Sequence, residues 1–428
     1  MLLALAVYLL IGLAAVGWAA LCRRCRFSQP IAWAGALCLA GAMLAWMWHV
    51  SEPGKMLSDF RKAYFPAGSA VVTDPDQLYG EEVLFVNIPI FAYLFTPLTW
   101  LPRRAASALV LLSGLACIPL AATLLVRLTK ASGANRWLIW ALCIANGPLI
   151  NSVREGNTTH FVLLMLIAAS FAFEKKRDGI AGMWLALAAV IKLPLLLIGL
   201  WLLARRLWKA TAAYAGTLAL IAGASVLRFG WDLHQRWYEQ CVRPFSQHPL
   251  GAFNVQSIDG MLVRFFTGAT HLYDWLPIQD IDPAFFFWKK ALAIALVAAV
   301  AVCLVRAGQR PVDSRGNNER VEELGIVLTA ALILSPLSWT HYYLLLLLPI
   351  AWLITRHPEA KQGATAASLG LAALLVSLPV VMPEEGLLPA QPLAAAVASS
   401  VYVCGALLLL ALLLRQRAAS GSGRAKHA

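Results

Sequence analysis

Apolar stretches of about 20 residues recur from one end of this chain to the other. A backbone entering hydrocarbon must satisfy its own hydrogen bonds, so continuous apolar stretches of this length cross a bilayer as helices. Composition agrees: 60% of the 428 residues are hydrophobic and 13% are charged, against roughly 25% charged in soluble proteins. The chain therefore reads as an all-α, polytopic membrane protein, one membrane unit over residues 1–414 with a basic Ser/Gly-rich tail, 415–428, expected to be disordered. Soluble enzymes and free nucleic-acid binders are excluded. The formal net charge of +13 is read as topology.

Lys and Arg orient the connections. Met1–Leu21 and Ile31–Trp48 open the chain as two helices, with Arg23, Arg24 and Arg26 placing their connection in the cytoplasm. The first lacks a basic segment ahead of its apolar stretch and is kept as a helix rather than a signal peptide. Leu84–Leu101 is apolar but interrupted by Pro89 and Pro97, and basic-residue placement lays it along the outer surface. Spans are predicted at 105–126, 137–151, 158–173, 210–227, 284–305, 324–338, 341–355, 364–382 and 393–414. Gly179–Ala204 lies between two basic clusters, Lys175-Lys176-Arg177 and Arg205-Arg206-Lys209, so both its ends belong in the cytoplasm. It is expected to be a pair of short helices turning at Lys192 and Pro194, which makes about 12 or 13 membrane helices in all.

Under this topology 22 Lys/Arg lie inside and 13 outside, while Asp/Glu divide 7 inside and 15 outside. The large polar loops 49–104 and 228–283 face outward, so the chemistry is expected on the periplasmic or extracellular face, with the C-terminus cytoplasmic. Of the eight cysteines only Cys241 falls in an outer loop, and no structural disulfide is expected. Cys22 and Cys25 form a CxxC without a partner pair or nearby His, and the spacing is read as coincidence.

Five polar segments interrupt the apolar background. Asp59, followed by Tyr64, comes soon after the second span; a partly dehydrated carboxylate there is a general base for a hydroxyl, or else a loop acid paired with Arg61 or Lys62. Arg154 to His160, including Asn157, concentrates polar groups in one short connection, as a substrate path or as helix capping requires. Lys192 stands alone in an apolar stretch, either to hold a phosphate as a point charge or to snorkel to the interface. Asn254, Gln256 and Ser257 offer the donors and acceptors that sugar hydroxyls need, with Arg264 following. Trp231, Trp237, Tyr238, Tyr273 and Trp275 supply flat faces that suit sugar stacking or interfacial anchoring. Finally, Ser335-Pro336-Leu337-Ser338-Trp339-Thr340-His341 ends a helix at the outer edge and presents His341 and Trp339, the His as a site member or a structural hydrogen-bonding group.

In this order, the segments resemble the GT-C superfamily of polyprenyl-phosphate-dependent glycosyltransferases, and specifically glycosyltransferase family 87, from about Asp59 to Pro349. The residues carrying the resemblance are Asp59-Phe60 with Tyr64 and Leu78-Tyr79, Phe91-Ala92-Tyr93 to Pro97-Leu98, Gly156-Asn157, Ala181-Gly182 to Lys192-Leu193-Pro194 with Arg205-Arg206, Asn254 to Gly260, and Ser335 to His341. Two departures stand out: Gly156-Asn157-Thr158-Thr159 where many members read Gly-Gln-x-Asn, and Ala92 to Leu94 where Pro-Pro is common. The resemblance implies an inner-membrane hexosyltransferase that moves a sugar, by family weight mannose, from a polyprenyl-phosphate donor to a glycan or glycolipid acceptor by inverting displacement. It further implies Asp59 as base and His341 as a catalytic-site group. Lys192, with Arg154 or Arg264, would hold the donor phosphate, and Tyr64, Asn157, Asn254, Gln256 and Trp339 would bind substrate.

No cofactor or metal is expected. Asp74-Pro75-Asp76 has DxD spacing but reads as a turn. The alternative, a secondary transporter or flippase of a lipid-linked or anionic substrate, would be expected to show two similar halves, and none is visible. A scaffold protein would need no polar groups converging on one face.

Overall fold

The computed structural model describes residues 56–268, 270–308, 317–356, 363–380 and 392–422, together with scattered residues between 7 and 46. The spans expected over 1–21 and 31–48 lie largely outside the described residues. Those residues form seventeen α-helices and no strand, the nearest approach to one being an isolated antiparallel bridge between Val255 and Trp339. In chain order the helices of the first half are α1 (Phe65–Thr73), α2 (Thr96–Thr99), α3 (Arg103–Thr129), α4 (Gly133–Ile144), α5 (Gly147–Glu155), α6 (Thr159–Glu174), α7 (Asp178–Ile191), α8 (Leu197–Ala204) and α9 (Trp208–Trp237). There follow α10 (Arg243–Gln247), α11 (Ile258–Thr267), α12 (Pro283–Gly308), α13 (Asn317–Leu334), α14 (Leu347–Arg356), α15 (Gly363–Ser377), α16 (Pro392–Ala398) and α17 (Val401–Ser422). Segments Arg103–Thr129, Trp208–Gln247, Pro283–Arg306 and Val401–Ala419 are long and apolar enough to cross a membrane. This is an all-α polytopic membrane protein.

The expected hairpin forms. At about 1.5 Å per residue, α7 rises about 21 Å and α8 about 12 Å, both short of a hydrocarbon core of about 30 Å. Lys192 leaves the helix in an extended conformation, and Pro194 opens a 3-10 turn over Leu193–Leu196 that leads into α8. Both bases of the hairpin are tied to the first turns of α13. Arg320 pairs with Asp178 at 2.5 Å, and Glu323 receives both Arg205, through Nε at 2.7 Å and through Nη2, and Trp201 Nε1 at 3.1 Å. The two bases therefore share one end of the bundle, and the Lys192 tip points away from it.

Several spans differ from the sequence expectation, each for a local reason. The stretch 137–151 is not one helix but α4 and α5, because Asn146 caps a new helix with its Oδ1 on the Leu149 N–H at 2.8 Å, and Pro148 sits in the first turn. The span at 210–227 runs on to Trp237 across a kink at Gly230, whose φ of +76 suits glycine. The span at 341–355 begins as a 3-10 turn, Thr340–Leu346, before α14. The stretch 393–414 breaks into α16 and α17 around Ser399 and Ser400.

The tail is also corrected. Helix α17 continues to Ser422 past the expected boundary at 414, because Arg417 is buried and bonds Glu319 at 2.9 Å and Glu323 at 2.8 Å. Only residues 423–428 of the expected tail lie outside the described residues. The segment 84–101 forms a 3-10 turn over Pro89–Phe95 and the single turn α2, with no spanning helix.

Glu323 thus holds three partners from two helices in a buried setting. Removing one member of a buried ion cluster strands the others, at a cost of about 3–5 kcal/mol. Glu323→Ala is expected to lower the thermal unfolding midpoint of the purified protein far more than Glu319→Ala, which leaves Arg417 its second carboxylate.

Candidate active site

Asp59 lies one residue ahead of a π turn over Phe60–Tyr64 that leads into α1. That segment is strapped to the end of α5. The Leu57 N–H donates to the Arg154 carbonyl at 2.7 Å, and Gly156 reverses the chain with φ +66, where a Cβ would approach Phe60 Cβ to 2.8 Å. Only glycine suits both the left-handed turn and that approach. The strap brings Asn157 onto Asp59.

The Asn157 amide links a carboxylate to an ammonium. Its Nδ2 donates to Asp59 Oδ2 at 2.6 Å, while Oδ1 accepts from Lys192 Nζ at 3.1 Å and from the N–H and hydroxyl of Thr159 at 3.0 and 2.7 Å. Those partners fix which way the amide points. Lys192 Nζ also lies 4.6 Å from the centre of the Tyr342 ring. The hairpin tip is held by Asn87, whose Nδ2 donates to the Ile191 carbonyl at 2.9 Å and whose own carbonyl accepts the Tyr79 hydroxyl at 2.7 Å. His341 completes the group, with Nδ1 4.0 Å from Glu155 Oε2.

Burial pushes the Asp59 carboxyl above its ordinary value, against the opposing pull of the Asn157 hydrogen bond and the Lys192 charge. Glu155 is pushed up to about 7, first by burial and next by the charge of Asp59, with Arg154 opposing. Two carboxylates, an ammonium and two imidazoles, His160 and His341, thus lie within reach of one another's charge in a largely buried cluster. A carboxylate of raised basicity beside a fixed cation has the equipment to take a proton from a hydroxyl while an anion is held nearby.

The remaining sequence candidates divide. Tyr64 is buried beside the group, its hydroxyl 3.4 Å from Thr158 Oγ1 and its ring stacked on Phe95. Arg154 is half-buried, donating to Asn151 Oδ1 at 2.6 Å and lying 3.6 Å from Glu155. Arg264 is elsewhere: fully buried, it donates to the carbonyls of Gly251, Ala252 and Val255 at 3.0–3.3 Å and to Ser400 Oγ. Gln256 likewise spends its amide on the Phe253 and Ser399 carbonyls, and Asn254 Oδ1 accepts from Trp275 Nε1 at 3.0 Å. Trp339 is half-buried against the small core of Leu250, Ala252 and Val255.

These residues brace the approach to His341, since the Thr340 N–H donates to the Asn254 carbonyl at 2.8 Å. Asp74 caps the 3-10 turn Pro75–Tyr79, and Asp76 pairs with Arg236, as a turn reading of that DxD requires. Sequence reasoning did not single out Glu155, Tyr342 or Asn87. The first two stand inside segments already marked by their polarity, which was the available signal.

The model of glycosyltransferase family 87 matches residues 85–336. The chain belongs to glycosyltransferase family 87. As a member it is a membrane-embedded hexosyltransferase. Among similar proteins, a polyprenol-phosphate-mannose-dependent alpha-(1-2)-phosphatidylinositol pentamannoside mannosyltransferase of Mycolicibacterium smegmatis is 26% identical over 307 residues, 71% of this chain and 69% of that protein. Its counterpart in Mycobacterium tuberculosis is 25% identical over 78% of this chain and 75% of its own. A phosphatidylinositol mannoside mannosyltransferase of Mycobacterium tuberculosis, also polyprenol-phosphate-mannose-dependent, is 25% identical over 82% of each chain. No solved structure matches the chain significantly.

In this glycosyltransferase Arg264 serves the scaffold, and its loss is expected to read as instability. Arg264→Met leaves three buried carbonyls short of a donor, at about 1–3 kcal/mol each. The thermal midpoint should fall, while transfer per folded molecule, normalised by the monodisperse fraction, stays within a few-fold of wild type.

Proposed function

We propose that the chain transfers mannose from a polyprenyl-phosphate-mannose donor to a mannosylated phosphatidylinositol or a related glycolipid, on the outer face of the membrane. The line Asp59–Asn157–Lys192 carries the reading, because it sets a basic carboxylate and a fixed ammonium one amide apart. Donor and acceptor classes follow the names of the similar mannosyltransferases. The outer-face assignment rests on the excess of Asp/Glu at that end and of Lys/Arg at the other.

The donor enters laterally from the lipid, its phosphate against Lys192 and His341. An acceptor hydroxyl hydrogen-bonded to Asp59 loses its proton to that carboxylate as its oxygen bonds the anomeric carbon. The bond from that carbon to the phosphate oxygen breaks on the opposite side, its electron pair leaving with polyprenyl phosphate, and the anomeric centre inverts. Charge builds on the departing phosphate where Lys192 already stands, so fixed protein cations meet the electrostatic need. Burial acts on both halves: it raises the basicity of Asp59 and lowers Lys192 to about 7, so that an incoming phosphate, which favours the charged ammonium, completes the ion pair.

Synthetic polyprenyl-phosphate-mannose and phosphatidylinositol mannoside acceptors, given to purified wild type and Asp59→Asn at equal folded yield, test the reading. Loss of a general base is expected to cut transfer by about 10²–10⁴-fold with donor binding retained. Transfer that survives in Asp59→Asn removes Asp59 from the role. Absence of transfer and of donor binding in wild type rejects the donor class.

The pH dependence has a definite sign. The base must be ionised, and its carboxyl lies above the ordinary Asp value, so kcat/KM should rise with pH through that raised value. Asn157→Leu removes a hydrogen bond that favours the ionised form and should move the acid limb of the profile to higher pH.

A further inference from the structure

Span α12 is held to the bundle unevenly. Near its start Lys289 pairs with the buried Asp259 of α11 at 2.5 Å, and further along Cys303 Sγ lies 3.6 Å from the Leu414 carbonyl of α17. Toward the hairpin it stands off from α8, leaving a cleft of about 280 Å³ with α13 as its floor. Leu200 and Ala204 of α8, Ala301 and Leu304 of α12, and Ala331 and Leu334 of α13 line it. Helices α8 and α12 both run toward the end where the hairpin bases meet α13. The cleft therefore extends for about 12 Å, from the level of Leu197 and Val297 to that of Arg205 and Val305.

An apolar cavity stays dry, and one that opens to a bilayer past exposed side chains such as Leu200 and Ala301 takes a hydrocarbon chain. Apolarity does not choose which chain, because lipid tails are as apolar as the leucines around them. Selection falls to charge at the end of the cleft, and that end is basic. Arg205 itself is spent on Glu323. Arg206 and Arg306, the chain neighbours of Arg205 and Val305, are exposed, as is Lys209, and none of the three has an ion-pair partner among the described residues. Trp208 is exposed beside Lys209, and such a ring settles at the level of lipid headgroups. Basic groups at the rim of an apolar slot between spans complement a phosphodiester whose acyl chain lies in the slot.

We propose that the cleft between α8, α12 and α13 binds an anionic phospholipid from the leaflet at the hairpin-base end, with an acyl chain in the cleft and the phosphate among Arg206, Lys209 and Arg306. The lipid completes the seat of α12 on the side that the Asp259–Lys289 pair does not reach. It also packs along α8, the arm of the hairpin that follows Lys192. The site lies at the hairpin base and requires neither donor nor acceptor.

Thermal unfolding of the purified, delipidated full-length protein in detergent tests the site. Dioleoyl phosphatidylglycerol and dioleoyl phosphatidylcholine serve as probes of equal chain and different charge, and apparent affinity is read from the rise of the midpoint with lipid concentration. A cation near an anionic headgroup contributes about 5-fold in affinity. The Arg206→Gln/Arg306→Gln double variant is therefore expected to weaken phosphatidylglycerol by about 20-fold and leave phosphatidylcholine unchanged. Added salt should narrow the wild-type preference in the same direction. Ala301→Trp fills the cleft from an exposed position and should abolish stabilisation by either lipid. Ala301→Val, a smaller step at the same position, should keep most of the response, which separates filling of the cleft from misfolding.

Equal affinity for the two lipids in wild type, a preference that persists in the double variant, or a lipid response untouched by Ala301→Trp overturns the site. Competition of a short-chain polyprenyl monophosphate with phosphatidylglycerol, equally strong in wild type and in the double variant, assigns the cleft to an isoprenoid tail and overturns it as well.

Discussion

A carboxylate and an ammonium placed together in a medium of low polarity collapse into a direct ion pair unless something stands between them. In this protein the Asn157 amide does, donating to Asp59 and accepting from Lys192. The consequence is chemical as well as structural. A direct Asp59–Lys192 bridge would hold the carboxylate at low basicity and spend the ammonium's charge internally. An interposed neutral amide keeps the two registered while burial holds the carboxyl above its ordinary value and pulls the ammonium down to about 7, the Asp59 charge opposing that fall. The Thr159 N–H and hydroxyl on the same Oδ1 stop the amide from turning over.

That arrangement depends on where the hairpin tip stands, and the tip is set from the far end of the bundle. Helices too short to span have no bilayer thickness to fix their depth. Here α13 fixes it, through Arg320 on Asp178 and Glu323 on Arg205, with Arg417 of α17 completing the charge balance around Glu323. Apolar packing of α7 against α6 and α9 supplies the lateral restraint, through residues such as Leu185 and Ala189 buried in the common core. Ion pairs at the base and the Asn87 hydrogen bond at the tip then act along the hairpin axis.

The hairpin was legible because basic clusters flank an apolar stretch of the wrong parity, and Lys192 with Pro194 marks the only polar break in it. Asp59, Asn157 and His341 were legible as polar interruptions, and they converge at one end. What stayed hidden is of two kinds. Glu155 follows Arg154 directly, so in one dimension it reads as that residue's neutral partner; only the fold shows it facing Asp59 and His341. Helix breaks at Asn146 and at Ser399-Ser400 were hidden because a few capping residues barely dent the hydropathy of an otherwise apolar window, although one side-chain bond to Leu149 N–H suffices to start a new helix.

Arg264 and Gln256 teach the opposite lesson. Their polarity fits sugar recognition, yet the loop ahead of α11, to which Gln256 belongs and Arg264 reaches back from the helix, has few ladder or helix bonds of its own, and its carbonyls still need donors. A guanidinium with five N–H groups is an efficient way to serve several carbonyls at once, which is how Arg264 closes the turn 251–255 against Ser400. Gln256 Nε2 is bound to the Phe253 and Ser399 carbonyls and Asn254 Oδ1 to Trp275, so these groups hold the loop together. The outer loop instead fixes Trp339 and Thr340, and with them the depth at which His341 stands beside Asp59, Arg154 and Glu155.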